Sequence, residues 1–89
     1  MEYMGDAIWW DERFKSRENE LMPPEIKLKS DLNYFAECNR ILDIACGDGR
    51  NAIYLAKLGH EVYAVDFSKE GLNRLKSFAI LEGVGITTK

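Results

Sequence analysis

Residues Arg40–Ser68, RILDIACGDGRNAIYLAKLGHEVYAVDFS, carry the strongest structural signal in this chain. It begins with Arg40–Ala45, a short apolar run bounded by a turn signal, which suits a buried strand. The glycine-rich turn Cys46–Gly49 follows and leads into Arg50–Leu58, whose apolar spacing predicts a helix. A second apolar strand, Glu61–Asp66, completes a strand–helix–strand unit. Units of this kind hold ligands at the carboxyl ends of their strands.

Two glycines and one carboxylate make this unit a candidate site for a nucleotide-like ligand. Gly47 and Gly49 lack a Cβ atom, so the backbone can turn tightly and approach a ligand closely. Asp66 ends the second strand, where its carboxylate can accept hydrogen bonds from both hydroxyls of a ribose. The spacing Gly47-x-Gly49-x-x-Ala52, followed by an acidic residue, also fits the dinucleotide fingerprint. The glycines alone therefore leave a dinucleotide and another adenosine-bearing cofactor open.

Charge in the turn helps to separate these two ligands. A dinucleotide places a doubly charged pyrophosphate over the turn, at the N-terminus of the helix. Asp43 ends the first strand and Asp48 lies inside the turn, with its side chain expected in solvent, so two carboxylates would repel a pyrophosphate. S-adenosylmethionine has no phosphate and carries a sulfonium and an ammonium, so carboxylates suit that ligand.

These residues resemble a known family. The segment Asp43–Ala52, DIACGDGRNA, is similar to the first motif of class I S-adenosylmethionine-dependent methyltransferases, in a variant found in small enzymes of the tellurite-resistance type. Ala45 occupies the position of the first glycine of the general motif. Glu61–Ser68 resembles the second motif, and Trp10–Phe14 resembles the aromatic N-terminal segment of the same subgroup. The resemblance extends from about Trp9 to Gly83.

The resemblance implies a role for each matched position. Asp66 would bind the ribose hydroxyls, and Phe67 would pack on the adenine. The backbone of Ala45, Cys46 and Gly47 would contact the methionine moiety. Asp43 would support the turn and face the ammonium, and Trp10 would lie near the cofactor as part of a lid. With the second glycine of the turn, the candidate cofactor-binding residues are Trp10, Asp43, Ala45, Cys46, Gly47, Gly49, Asp66 and Phe67. No catalytic residue is assigned.

Composition limits the other functions. The 89 residues make at most one small domain, which we expect to be partial, with a helical segment 1–38 and a cofactor-binding portion 39–89. A net charge of −3 gives no support to a nucleic-acid surface. No apolar run approaches the ~20 residues of a membrane span. Because no signal peptide is visible, we expect a cytoplasmic location.

The cysteines and the single histidine carry no recognisable chemistry. Cys38 and Cys46 form neither a CxxC pair nor a zinc pattern, so reduced thiols and no metal site are expected. Cys46 has no base nearby in the sequence, which favours a structural role over a nucleophilic one. His60 is expected in the turn before the second strand, in solvent.

Helices are predicted on both sides of the central unit. Ala7–Glu20 carries an apolar cluster of two tryptophans and a phenylalanine. Pro24 is well placed to begin a second helix, Glu25–Glu37, whose apolar side chains share one face; these are Leu28, Leu32 and Phe35.

After the second strand, Ser68 is expected to cap a helix from Lys69 to Glu82, with Gly83 ending it. Its buried stripe is expected to be Leu72, Leu75, Phe78 and Ala79. The segment 84–86 could begin a third strand.

The sequence therefore predicts an α/β fold of the Rossmann-like methyltransferase type, incomplete, with N-terminal helices, a βαβ unit and a following helix. The function that the resemblance implies is methyl transfer from S-adenosylmethionine to a small-molecule acceptor. A dinucleotide-dependent oxidoreductase fragment and a non-enzymatic interaction module stay open as alternatives. The family sheet has seven strands, and its fourth strand lies beside the first. Without it, Arg40–Ala45 would expose an unpaired edge through which two copies could associate.

Overall fold

A computed structural model describes residues 6–17, 20–35 and 40–89 of the chain. The helices are α1 (Ala7–Ser16), α2 (Ile26–Ser30), a 3₁₀ turn (Leu32–Phe35), α3 (Arg50–Lys57) and α4 (Lys69–Glu82). The strands are β1 (Arg40–Ile44), β2 (Glu61–Val65) and β3 (Thr87–Thr88). Within these ranges the strands form one parallel sheet in the order β1-β2-β3. The predicted α/β class and the central βαβ unit are confirmed.

One face of the sheet carries the core. Val62 and Ala64 of β2 point to this face and pack with a small cluster from α3 and α4: Ala52, Leu55 and Leu75. On the other face Leu42 and Ile44 of β1 are 60% and 72% exposed. β1 was predicted to be a buried strand, and this is half wrong. The described helices cover only one face, and β1 lies at an edge of the described sheet.

The N-terminal segment differs from the prediction. The predicted helix Glu25–Glu37 is interrupted, because α2 ends at Ser30, whose hydroxyl donates 2.8 Å to the carbonyl of Lys27. Such side-chain bonds compete with the helical backbone pattern. Pro24 precedes the helix instead of beginning it, since Glu25 is the N-cap. Two of the predicted apolar residues, Leu28 and Leu32, still pack against the core, while the side chain of Phe35 and all of Cys38 lie outside the described part.

The other predicted helix ends agree more closely. α1 stops at Ser16, earlier than Glu20, because Arg17 takes an extended conformation. Ser68 caps α4, its hydroxyl oxygen accepting a 3.1 Å bond from the Gly71 N–H. Gly83 ends α4 with a φ of 71°. The buried residues of α4 include Leu75, Phe78 and Ala79, whereas Leu72 is only half-buried.

The third strand begins later than the predicted segment 84–86. The N–H of Val84 donates to the carbonyl of Ala79 at 3.0 Å, so this residue still belongs to the end of α4. β3 therefore starts at Thr87, where it pairs with Tyr63 of β2.

None of the helices within the described ranges has the length and apolar character needed to cross a membrane.

Candidate functional site

The turn after β1 contains three residues in the left-handed region. Gly47 and Gly49 have φ values of 61° and 93°, and Ala45 has 58°. The turn is held to the sheet by the Cys46 N–H, which donates to the carbonyl of Val65 at 3.1 Å. The tight glycine turn is confirmed. Ala45, at the position where the general motif has glycine, adopts a conformation that costs an L-residue about 1–2 kcal/mol.

The two glycines make room for side chains of the protein itself. A Cβ atom on Gly47 would lie 3.2 Å from Cζ of Phe14, and one on Gly49 would lie 2.5 Å from Cγ of Leu75. Any side chain at these positions would displace the packing behind the turn. The structure thus gives both glycines a packing reason, and the predicted close approach to a ligand stays a prediction.

Asp66 joins the two turns at the carboxyl ends of β1 and β2. Its Oδ2 accepts a 2.8 Å hydrogen bond from the Gly47 N–H, and its Oδ1 accepts a 2.8 Å bond from the Ser68 N–H. Each carboxylate oxygen has a further lone pair, so the side chain can still accept hydrogen bonds from two hydroxyl groups. Asp66 thus fixes the glycine turn and also lines an open cleft.

Asp48 does not lie in solvent, and that prediction is wrong. The residue is 4% exposed, and its Oδ2 accepts from Arg17 Nη1 at 3.2 Å and from Arg74 Nε at 3.3 Å. Two guanidinium groups therefore compensate its charge. The argument that this carboxylate would repel a pyrophosphate loses its basis.

The acidic character of the site comes from Asp43 and Asp66 instead. Burial raises the pKa of Asp43, and the nearby negative charge of Asp66 raises it further. Burial raises the pKa of Cys46 to about 12, and the negative charges of Asp43 and Asp66 contribute to this rise. The thiol is thus protonated at neutral pH, which agrees with a structural role for Cys46. A cation placed near these carboxylates would reduce their repulsion.

Two open clefts lie on either side of Ala45. The first, of about 460 Å³, adjoins the ends of β1 and β2 and is lined by Ile44, Ala45, Val65, Asp66, Phe67 and Lys89. Phe67 is 56% exposed, so its ring is free to contact a ligand. The second, of about 270 Å³, lies under α1, and its lining includes Trp10, Phe14, Arg17, Ala45, Gly47 and Arg50.

The structure brings most of the predicted site residues to these clefts. Six of them line one cleft or both: Trp10, Ala45, Cys46, Gly47, Asp66 and Phe67. Asp43 and Gly49 line neither of the two; the first is half-buried in β1, and the second is buried against α4. No three His, Cys, Asp or Glu side chains in the described ranges are grouped so that they could hold a metal ion.

Several residues around the site were not predicted from the sequence. Arg17 and Arg74 lie 31 and 26 positions from Asp48, so no local pattern relates them. Gly71 did carry a signal, because a glycine inside a helical pattern costs about 1 kcal/mol relative to alanine, and close packing is one reason for keeping it. A Cβ atom on it would lie 2.9 Å from Cε2 of Phe14.

A parallel βαβ unit with a glycine-rich turn after β1 and a carboxylate after β2 defines a Rossmann-like cofactor-binding fold. The profile of a family described as a methyltransferase domain matches residues 41–89. The chain therefore belongs to this methyltransferase-domain family.

One curated relative is the probable S-adenosyl-L-methionine-dependent methyltransferase TehB of Haemophilus influenzae. It is 35% identical over 49 residues, which are 55% of this chain and 17% of TehB. The crystal structure of that protein aligns with 93% of this chain and 27% of its own chain, with a TM-score of 0.68 and 22% identity. The chain thus spans less than a third of this relative.

Two other solved structures share the fold. One comes from work on the conversion of a disulfide bond into a thioacetal group during echinomycin biosynthesis; it has a TM-score of 0.79 and 21% identity, over 93% of this chain and 38% of that one. The other is the tRNA (uracil-54, C5)-methyltransferase of Pyrococcus abyssi in complex with S-adenosyl-L-homocysteine. It has a TM-score of 0.63 and 25% identity, over 72% of this chain and 16% of that one.

Proposed function

We propose that this chain provides the S-adenosylmethionine-binding part of a methyltransferase that acts on a small-molecule acceptor. The observation that carries the proposal is Asp66, which lies beside the glycine turn at the carboxyl end of β2 in a chain of the methyltransferase-domain family. TehB, named as a probable S-adenosyl-L-methionine-dependent enzyme, supports the cofactor, as does the bound S-adenosyl-L-homocysteine of the Pyrococcus abyssi enzyme.

The larger cleft fits the adenosine half of the cofactor. Asp66 would accept hydrogen bonds from the two ribose hydroxyls through the lone pairs that its backbone bonds leave open. The exposed ring of Phe67 would pack on the adenine, since aromatic rings stack favourably in offset geometry. Both side chains line the same cleft, so one ligand can contact them together.

The methionine half would cross Ala45 into the cleft under α1. There the backbone of Ala45, Cys46 and Gly47 would contact it, and Trp10 would cover it from α1. The half-buried Asp43, whose pKa is raised by burial and by the charge of Asp66, would support the turn and compensate the ammonium. A positively charged ligand suits this position better than a pyrophosphate does.

The chemistry expected of the protein here is positioning. When bound, S-adenosylmethionine would supply an electrophilic methyl group on its sulfonium. The residues of this chain would orient that group for in-line displacement and keep water away from it, which needs no acid–base pair. Trp10 and Phe14 line the cleft under α1 and provide apolar cover.

Net charge and the solved relatives both bear on the nature of the acceptor. The chain carries a net charge of −3, which disfavours a polyanionic nucleic acid. The echinomycin work concerns a small molecule, whereas the Pyrococcus abyssi enzyme acts on tRNA. We therefore favour a small-molecule acceptor. The cytoplasmic location stays a prediction from the sequence.

We also propose that two copies of this chain associate through β1. β1 lies at the edge of the described sheet, and Leu42 and Ile44 expose apolar surface there. An apolar edge strand with unpaired backbone groups is a template for pairing. Light scattering over a concentration series should show dimers, and Leu42→Lys should shift the equilibrium toward monomer. A clean monomer at high concentration would refute this association.

Calorimetric titration of the whole chain with S-adenosylmethionine, S-adenosylhomocysteine, NAD and NADP tests the cofactor. We expect binding of the first two and none of the dinucleotides. Tighter binding of NAD would favour the oxidoreductase alternative. If the chain binds none of the four ligands, it has no cofactor site, and the non-enzymatic interaction module is the remaining hypothesis.

A further inference from the structure

The side of α1 that faces the protein carries three residues at a spacing of three: Asp11, Phe14 and Arg17. Each contacts a different part of the cofactor turn or of α4. This regular spacing places them along one face of a helix and its first following residue. The three contacts together fix how α1 lies against the turn.

Phe14 occupies a gap that two glycines leave open, which we call the glycine slot (Gly47 and Gly71). Phe14 is 3% exposed. A Cβ atom on Gly47 would lie 3.2 Å from Cζ of the ring, and one on Gly71 would lie 2.9 Å from Cε2 and 3.1 Å from the Gly47 carbonyl oxygen. The turn, α1 and α4 therefore meet at one point where no additional methyl group fits.

A charged cluster fixes the end of α1 to the same turn. Arg17 and Arg74 both donate to Oδ2 of Asp48, at 3.2 and 3.3 Å. Arg74 also donates to the carbonyl of Arg17 at 3.4 Å and to that of Glu20 at 3.5 Å. The side chain of Asp48, which is among the residues lining the cleft under α1, thus connects the turn to the segment that follows α1.

Asp11 makes the third contact, at the start of α4. Its Oδ1 accepts from the Ser68 hydroxyl at 2.5 Å and from the Glu70 N–H at 3.2 Å. The hydrogen bond from Ser68 lowers the pKa of Asp11, and the bond from the Glu70 N–H lowers it further. A carboxylate at this point complements the N-terminus of α4.

We propose that α1 is a positioning element for the cofactor turn, so that docking of α1 and binding of the cofactor are coupled. The inference rests on the proposed function. The backbone of the turn that would contact the methionine moiety is the backbone that Phe14 and Asp48 hold from behind. Docking of Phe14 also places Trp10, whose ring centroid lies 5.8 Å from it, over the second cleft. Coupling between sites is reciprocal, so cofactor binding would hold α1 in place by the same factor.

A double-mutant cycle on the glycine slot tests this. Gly71→Ala would stabilise an ordinary helix interior, but here we expect it to displace Phe14 and weaken binding of S-adenosylhomocysteine at least tenfold. In the Phe14→Leu background, Gly71→Ala should cause a several-fold smaller loss of affinity for S-adenosylhomocysteine, because the aromatic ring is gone. Ile8→Ala, on the exposed side of α1, is the matched control and should leave affinity unchanged.

Trypsin provides a readout that a merely structural role would not change. S-adenosylhomocysteine should slow cleavage after Arg13 and Lys15 of α1 in the parent chain, by a factor close to the affinity ratio between the parent and Phe14→Leu. The variant should show little such protection.

The outcomes separate the two proposals. Suppose that the parent binds S-adenosylhomocysteine and that Phe14→Leu and Gly71→Ala bind it as tightly as the parent does, although both variants melt at a lower temperature. The coupling is then refuted and the proposed function stands. Uniform cleavage with and without ligand refutes the coupling in the same way. A parent chain that binds no S-adenosylhomocysteine overturns both.

Discussion

The turns after β1 and β2 each carry an aspartate at the same edge of the sheet, yet the two carboxylates have opposite surroundings. Asp48 is buried and contacts two arginines, while Asp66 is half-buried, bonds to two backbone N–H groups and lines an open cleft. In the sequence both are acidic residues beside a motif. The role of such a residue therefore depends on which distant side chains reach it.

The largest expected effect is on stability, at Asp48. Asp48→Ala leaves two guanidinium groups facing each other without a counter-charge, and breaking a buried pair costs about 3–5 kcal/mol. In a domain of this size that corresponds to a fall of more than ~10 °C in melting temperature.

Thermal denaturation of the Asp48 variant beside Asp31→Ala gives the control, since Asp31 pairs with Lys27 at an exposed site and should change stability by less than about 1 kcal/mol. Equal melting temperatures for the two variants would contradict the buried cluster.

The next effect is on affinity, at Asp66. Asp66→Ala removes a carboxylate that would accept charge-assisted hydrogen bonds from ribose, worth about 1.5–3 kcal/mol, or roughly one to two decades in affinity. We expect a larger loss of affinity than for Asp48→Ala, together with a lower melting temperature because two N–H groups lose their acceptor. Titration and melting on the same preparation check both. An unchanged dissociation constant would remove the ribose role.

Asp43→Asn should change stability and affinity in opposite directions. Because the pKa of Asp43 is raised in the folded state, the free energy of unfolding falls as pH rises above the ordinary value of 3.8. The variant lacks this fall, so its melting temperature should exceed that of the parent at pH 7 and equal it near pH 3.

Affinity for S-adenosylmethionine should drop several-fold in the Asp43→Asn variant at pH 7. Because S-adenosylhomocysteine keeps the ammonium but not the sulfonium, an equal drop for both ligands would place Asp43 at the ammonium. A larger drop for S-adenosylmethionine would place it at the sulfonium. A variant that is less stable than the parent at pH 7 would contradict the raised pKa of Asp43, which comes from burial and then from the charge of Asp66.

The smallest effect is expected at Ala45, which has a φ of 58°. Ala45→Gly removes a left-handed cost of about 1–2 kcal/mol but gives the unfolded chain more freedom, which offsets about 0.4–1 kcal/mol. We expect a rise of a few degrees in melting temperature. Ala56→Gly, inside α3, is the control and should lower it. A fall for both variants would mean that Ala45 carries no strain.

The sequence was sufficient to predict the central βαβ unit and α4, but it was insufficient to predict the contacts that surround them. β1, α3, β2 and α4 follow from local periodicity, caps and glycines, and the structure matches them within a residue or so at most ends. The break after Ser30 involves a local bond to Lys27 that the apolar spacing does not reveal, whereas the burial of Asp48 depends on arginines far along the chain. Likewise, the glycines of the turn were expected to make room for a ligand, but the atoms nearest to their missing Cβ positions belong to Phe14 and Leu75.

The bond between Asp11 and Ser68 has a consequence for how the chain folds during synthesis. The two residues are 57 positions apart, so α1 is made long before the helix start that it caps. At about 5–20 residues per second, this helix waits roughly 3–11 s for its partner. α1 is short, and an isolated helix of this length has only marginal stability in water. This helix therefore reaches its place beside α4 only several seconds after it has been synthesised.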